Sequence, residues 1–294
     1  ITGYDDAFLL KNETAIIQND GTVNILSADN SGVNHQEGFF INNGALNISS
    51  TAFKDGIKYQ SGADGFMNNG TLTFTKPSDD GIEIDTVGFV NNGIINITCA
   101  DAAASGNNAI VVNTNGKFEN TAAGVINADG SISTNARTIV VGTGGEFENA
   151  GKVNVQGGNL GIQFRVEGTV TNMACGVINL TDGRININAG SLTNNGFIKS
   201  TFTASGIFNQ NGTATNNAFF GYLNSNQFAS GATGTNVDNG LSINNGIDSL
   251  NAQNACVIDE NGDAVTPGTG TPCVNTVVSA VPFLRINPDA RGGA

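Results

Sequence analysis

The chain has 294 residues, a formal net charge of −13 and a pI near 4.2, with 13% charged residues, 40 glycines and no tryptophan. So acidic and charge-poor a chain lacks the basic stripe that nucleic-acid binding needs, and an anionic membrane surface would repel it. It has neither a signal peptide nor an apolar run long enough for a transmembrane helix, so no membrane insertion is expected.

The chain opens at Ile1 without a methionine, which leads us to expect that an N-terminal segment has been removed or omitted. Residues 1–13 are expected to supply a first strand or a cap, with Ala7–Leu10 apolar enough to cover the end of a stack. His35, the single histidine, lies in a polar stretch and is expected at the surface.

A repeat then becomes legible. GFFINNG followed by ALNI (38–48), GFMNNG followed by TLTF (65–74) and GFVNNG followed by IINI (88–97) state one unit three times. Asn-Gly tolerates positive φ and marks a corner, placing corners at Asn42-Asn43-Gly44, Asn68-Asn69-Gly70, Asn91-Asn92-Gly93 and Asn194-Asn195-Gly196. After each corner the residues alternate: Leu72 and Phe74, or Ile95 and Ile97, face one way and Thr71, Thr73 and Asn96 the other. Gly81–Asp85 supplies a second short strand, and Phe66-Met67 or Phe89-Val90 a third. Three strands and three corners per repeat describe one coil of a β-solenoid.

An anchor glycine can be followed through Gly21, Gly44, Gly70, Gly93, Gly124, Gly151, Gly176, Gly196 and Gly212, mostly at steps in the twenties. The expected fold is therefore all-β: a right-handed parallel β-helix of about nine to ten coils, stacked at ~4.8 Å. Corner asparagines should stack into side-chain ladders. Phe39, Phe66, Phe89, Phe118, Phe147 and Phe164 recur on coils and read as an interior aromatic stack rather than an exposed sugar platform.

The units GKFENTAAGVINADG (116–130), GEFENAGKVNVQG (145–157) and GSLTNNGFIKS (190–200) resemble coils of filamentous-haemagglutinin-type and autotransporter-passenger β-helices, which use a Gly-x-apolar-x-Asn-x-Gly-x-apolar pattern. The resemblance covers roughly residues 8–215. It bears on the fold, not on a particular activity.

Residues 1–217 thus form solenoid repeats, with bulging inserts expected at 54–65 and 100–108. Residues 218–251 read as irregular terminal coils, and 252–294 as a disulfide loop and C-terminal strand segment. Cys256 and Cys273 bracket a turn-rich loop and are expected to pair. Cys99 and Cys175 sit about three coils, or ~14 Å, apart, beyond direct bridging unless an insert folds along the rod; free thiols and an intermolecular bond stay open. VPFLRINPDARGGA (281–294) is similar to the opening of type IX secretion outer-membrane shuttle barrels, which implies an outer-membrane-associated bacterial setting.

No catalytic cluster is expected. Asp79-Asp80 resembles the paired carboxylates of β-helix polysaccharide hydrolases, but reads first as a turn before Gly81. Asp259, Asn261 and Asp263 offer alternate oxygens for Ca²⁺ around a plain Asn-Gly turn, without the glutamate an EF-hand loop requires. Asn12, Asn47, Asn69, Asn96, Asn179 and Asn211 lie in glycosylation sequons that arise easily in an Asn/Thr-rich chain. The leading expectation is a non-enzymatic extracellular structural rod, needing no cofactor or metal, that self-associates into a filament or surface layer. An adhesin that recognises glycan or host surface through its inserts is the alternative, and a polysaccharide-active enzyme the third.

Overall fold

The computed structural model describes residues 1–2, 5–49, 55–60, 62–75, 79–86, 88–98, 108–130, 137–157, 162–202, 206–222, 233–239 and 241–244. Among the described residues the strands stack in three parallel sheets of nine, ten and ten strands, here called A, B and C. The first coil places Phe8–Leu10 in sheet A, Ile16–Asn19 in sheet B and Thr22–Ile25 in sheet C; the eight coils that follow repeat that order, and a last one is described in sheets B and C. The chain is thus a parallel β-solenoid.

The alternation in sequence becomes an inner and an outer face. Leu46, Leu72, Ile95, Ile126, Val153, Ile178 and Ile198 stack in register through sheet C, each nearly or fully inaccessible to solvent. Sheet B stacks Phe40, Phe66, Phe89, Phe118 and Phe147 with ring centroids 4.6–5.2 Å apart. Close-packed rings in a dry core contribute beyond their apolar burial. Two expected members stand elsewhere. Phe40, not Phe39, joins the stack, because register counted back from the corner pair Asn42–Asn68 sets Phe40 against Phe66 and Phe39 against Gly65. Phe164 belongs to sheet A and meets Phe147 edge-on.

The corners are as regular, for a different reason than positive φ. Among the described residues the positive-φ glycines are Gly38, Gly88, Gly144 and Gly157, and the Asn-Asn-Gly corners are not among them. Their glycines are required by close approach: a Cβ on Gly44, Gly70 or Gly93 would lie about 2 Å from the carbonyl oxygen of the glycine one coil below. Gly212 leaves this column and stacks on Gly190, at the corner between sheets A and B. The place after Gly196 in the Asn-Asn-Gly column is taken by Ala218, which follows Asn216-Asn217.

Between 54 and 65, the described residues form coil wall, not an insert: Ile57–Tyr59 pairs in sheet A and Ala63–Asn68 in sheet B. Residues 99–107 lie outside the described residues. Beyond 217, Phe219–Tyr222, Thr235–Asp238 and Leu241–Asn244 continue the ladders of sheets B and C. Residues 245–294, with Cys256, Cys273, the possible Ca²⁺ loop and the 281–294 tail, lie outside the described residues. Cys175 is disulfide-bonded, and the other three cysteines lie outside the described residues. Among the described residues no helix is long and apolar enough to cross a membrane.

Candidate functional site

The corner asparagines divide into two ladders. The inner one runs from Asn19 through Asn42, Asn68, Asn91, Asn120, Asn149, Asn172, Asn194 and Asn216 to Asp238, each Nδ2 donating to the next Oδ1 at 2.7–2.8 Å. The amides also donate to backbone carbonyls, as Asn42 does to Gly44 and Thr71. Buried amides are tolerated only when paired this fully. The outer ladder runs the opposite way: Asn92 donates to Asn69, Asn69 to Asn43, and Asn43 to Asp20. Asn195 accepts from Asn217 in the same sense. These corners are structural.

Sheet C carries the surface with room for a ligand. Its register aligns Asn96, Asn127, Asn154 and Asn179 on consecutive coils, all facing outward. Their amides are linked at 2.8–2.9 Å, each donating to the coil below. Two residues further along each strand, Thr98, Asp129, Gln156 and Thr181 form a second polar row. Together with Lys152 they line an open groove of about 450 Å³, within the size range of small-ligand sites. Asn179 Oδ1, the last acceptor in the row, is buried with no hydrogen-bond partner among the described residues. Each amide has further donor or acceptor capacity for hydroxyl groups. In the sequence Asn96 and Asn179 stand out as sequons, and alternation turns Asn96 outward; the row itself shows only when strands 31, 27 and 25 residues apart are laid in register.

Asp79 and Asp80 are brought together with Asp55, which sequence reasoning missed because it comes from the preceding coil. Ligand oxygens of the three lie within 4.8 Å of one another, a spacing that a divalent cation could bridge. Much of their capacity is already used: Asp55 Oδ1 accepts from the Asp80 N–H at 3.2 Å, and Asp80 Oδ1 accepts from both the N–H and Nδ2 of Asn108 at 2.9 Å. Asp6 Oδ1 caps the Ser31 N–H and Asn108 Oδ1 the Arg137 N–H in the same way, so the cluster sits in a column that ties coil to coil. Burial, reinforced by Glu83 and Asp80, pushes the Asp55 carboxyl up to about 8. Burial likewise takes Asp80 to about 7, against the hydrogen bonds from Asn108. Burial would also raise Glu83, but Lys58, Asp55 and Asn113 together hold it below the usual range. These carboxyls read as coil-to-coil caps.

His35 is buried, contrary to the surface position expected for it. Its Nε2 lies 2.8 Å from the Gly38 carbonyl and its ring centroid 5.1 Å from that of Tyr59. It occupies an inward strand end in register with Leu10 and Tyr59. Burial lowers its pKa, so it is held neutral.

Ladders, stacked core and repeated corners define a β-solenoid repeat protein. A family model described as "Carbohydrate-binding domain-containing protein" matches residues 1–163, more than half of the chain, and the chain belongs to that family. Comparisons with curated proteins and with solved structures gave no match.

Proposed function

We propose that the chain is an extracellular, non-enzymatic β-solenoid that binds an extended glycan along the outer face of sheet C. The observation that carries this reading is the outward row Asn96–Asn127–Asn154–Asn179 beside a second polar row in one groove. Amide and hydroxyl side chains repeat there at the strand spacing of ~4.8 Å, close to the length of one pyranose unit, so successive sugars could meet equivalent groups. The family description supports a carbohydrate partner. Binding rather than turnover is supported by the lining, which has one carboxylate, Asp129, where glycoside hydrolysis ordinarily uses two. This reading moves the contact surface from the inserts to the coil wall.

The test is affinity electrophoresis of the whole chain through gels containing neutral polysaccharides, beside Asn127→Leu and Asn154→Leu. Retardation of the parent chain, with each variant running at least partly free, is the expected result. A chain that no polysaccharide slows, or variants slowed as strongly as the parent, would overturn the reading.

Self-association is a second reading, favoured by the first coil. Its strands are the edges of all three sheets, and Leu9, Ile16 and Leu26 there are 46%, 69% and 58% exposed. Open strand edges beside apolar side chains invite another chain. Negative-stain electron microscopy over a concentration series decides it: long uniform threads support stacking of subunits, and single short rods at every concentration remove it.

A further inference from the structure

All three arginines among the described residues, Arg137, Arg165 and Arg184, fall on consecutive coils at one stretch of sheet A, in a chain of net charge −13. Arg165 faces outward from its strand, in register with Val140 on the coil below and Asn186 on the coil above. Asn186 is followed in the same row by Phe208. Arg184 lies over that ring, its guanidinium carbon 5.0 Å from the Phe208 centroid and 5.4 Å from that of Phe202. Two aromatic faces hold a cation in a set orientation. Arg137 is anchored through its N–H to Asn108 Oδ1 at 3.1 Å.

The cluster is not neutralised within itself. Glu167 pairs with Arg165 and also accepts from Asn188, and it is the one carboxylate in an ion pair with these arginines among the described residues. The Nε atoms of Arg165 and Arg184 are buried with no hydrogen-bond acceptor among the described residues. An unmade bond on a buried cationic donor is costly and leaves the charge of these guanidinium groups poorly compensated within the fold. Burial, then repulsion from Arg165, lowers the Arg137 pKa, and burial lowers that of Arg184. An anion beside Arg137 and Arg165 would relieve the repulsion between them.

We propose that Arg137, Arg165 and Arg184 form an anion-binding site on sheet A, separate from the sheet C groove, that takes oxyanion groups carried on a polysaccharide. Arginine presents a planar fork of donors that matches a sulfate or carboxylate in two-point fashion. The site's spread over coils stacked ~4.8 Å apart suits several charged groups along one polymer better than a single small ion. The net charge of −13 works against polyanion binding over the chain at large, so the attraction has to be supplied locally by the arginines.

Isothermal titration calorimetry of the whole chain at low salt tests this, with dextran sulfate, polygalacturonate and unsulfated dextran as probes. At least one polyanion should bind; dextran sulfate alone would assign a sulfate ester, and polygalacturonate alone a uronate. Arg137→Gln should weaken that binding at least tenfold. Arg165→Lys, which keeps the charge but loses the fork, should weaken it less, and the groove variant Asn127→Leu should leave it unchanged. Circular dichroism confirms that each variant is folded. Equal polyanion affinity in Arg137→Gln and the parent would overturn the site, as would loss of binding in Asn127→Leu. Displacement of the polymer by inorganic sulfate at equal sulfate concentration would overturn the polysaccharide as ligand.

Discussion

Asn68 Nδ2 donates to Asn91 Oδ1 at 2.7 Å, and Asn91 donates in turn to Asn120 at 2.8 Å. All three residues are fully buried. The ladder can therefore neither exchange its partners for water nor lose one without stranding two. Asn91→Ala strands one Nδ2 hydrogen of Asn68, whose other bond runs to the Ile94 carbonyl, and the Asn120 acceptor, at about 1–3 kcal/mol each. The neighbouring Asn92 makes the same kind of bond, 2.9 Å to Asn69, where water can replace it. Asn92→Ala should cost about 0.5–1 kcal/mol. Urea midpoints of the two variants check this, and similar shifts would mean that burial is not what gives the inner ladder its weight.

The glycine column yields a sharper contrast. A Cβ on Gly70 would sit 2.0 Å from the Gly44 carbonyl oxygen, and backbone on both coils would have to part. Gly70→Ala should destabilise by about 3 kcal/mol or more. At Gly21, in the first coil, a Cβ would meet nothing within 4 Å. Gly21→Ala should be neutral or stabilise by up to about 1 kcal/mol through a less flexible unfolded chain. Thermal melts of the two variants decide it. If Gly21→Ala proved as damaging as Gly70→Ala, a local conformational demand, not stacking, would explain the column.

These contrasts mark what the sequence made legible. Alternation in TLTF and IINI and repetition of Asn-Asn-Gly suffice for a parallel solenoid, because both are local patterns that each coil must restate. What lies between coils is harder to read. Asp55 meets Asp80 from 25 residues away, and Arg137 and Arg184 are 47 residues apart, so neither cluster shows until the coils are in register. His35 looked like a surface residue because its neighbours are polar, yet strand register turns it inward against Tyr59. Phe40 takes the place expected for Phe39 because GFFINNG carries one residue more than GFMNNG before its corner, and register runs back from the corner asparagines, not forward from the leading glycine. The corner glycines were found correctly for the wrong reason, since a positive-φ turn and a crowded backbone both favour glycine.

The buried carboxyls give the fold an alkaline weakness. Burial holds Asp55 near 8 and Asp80 near 7, against 3.8 for a free aspartate. A folded-state pKa above the unfolded value means that the stability gained from the protonated form is complete below about pH 4 and is lost as pH rises through 7 to 8. The melting temperature should therefore fall between pH 5 and pH 9. Asp55→Asn, which is neutral at every pH, should flatten that fall and melt higher than the parent at pH 9. An unchanged alkaline slope in Asp55→Asn and Asp80→Asn alike would show that both carboxyls ionise in the fold without penalty.

His35 acts at the other end of the pH scale. Its ring is buried beside Tyr59 and Phe66, and burial depresses its pKa despite the Gly38 carbonyl and the nearby Asp64, which both favour the charged form. A depressed folded-state pKa contributes stability that is present above the unfolded value of about 6.5 and is lost as pH falls, because only the unfolded chain takes up the proton freely. Melting temperature should thus drop between pH 7 and pH 5 through this residue, opposing the gain from Asp55 and Asp80 over the same interval. His35→Phe removes the acid-side loss while keeping an aromatic ring in the core. Its profile should rise more steeply than the parent's as pH falls from 7 to 5, after allowance for the lost bond to Gly38, which shifts all points alike. Parallel profiles for variant and parent would show that His35 takes up its proton as readily folded as unfolded.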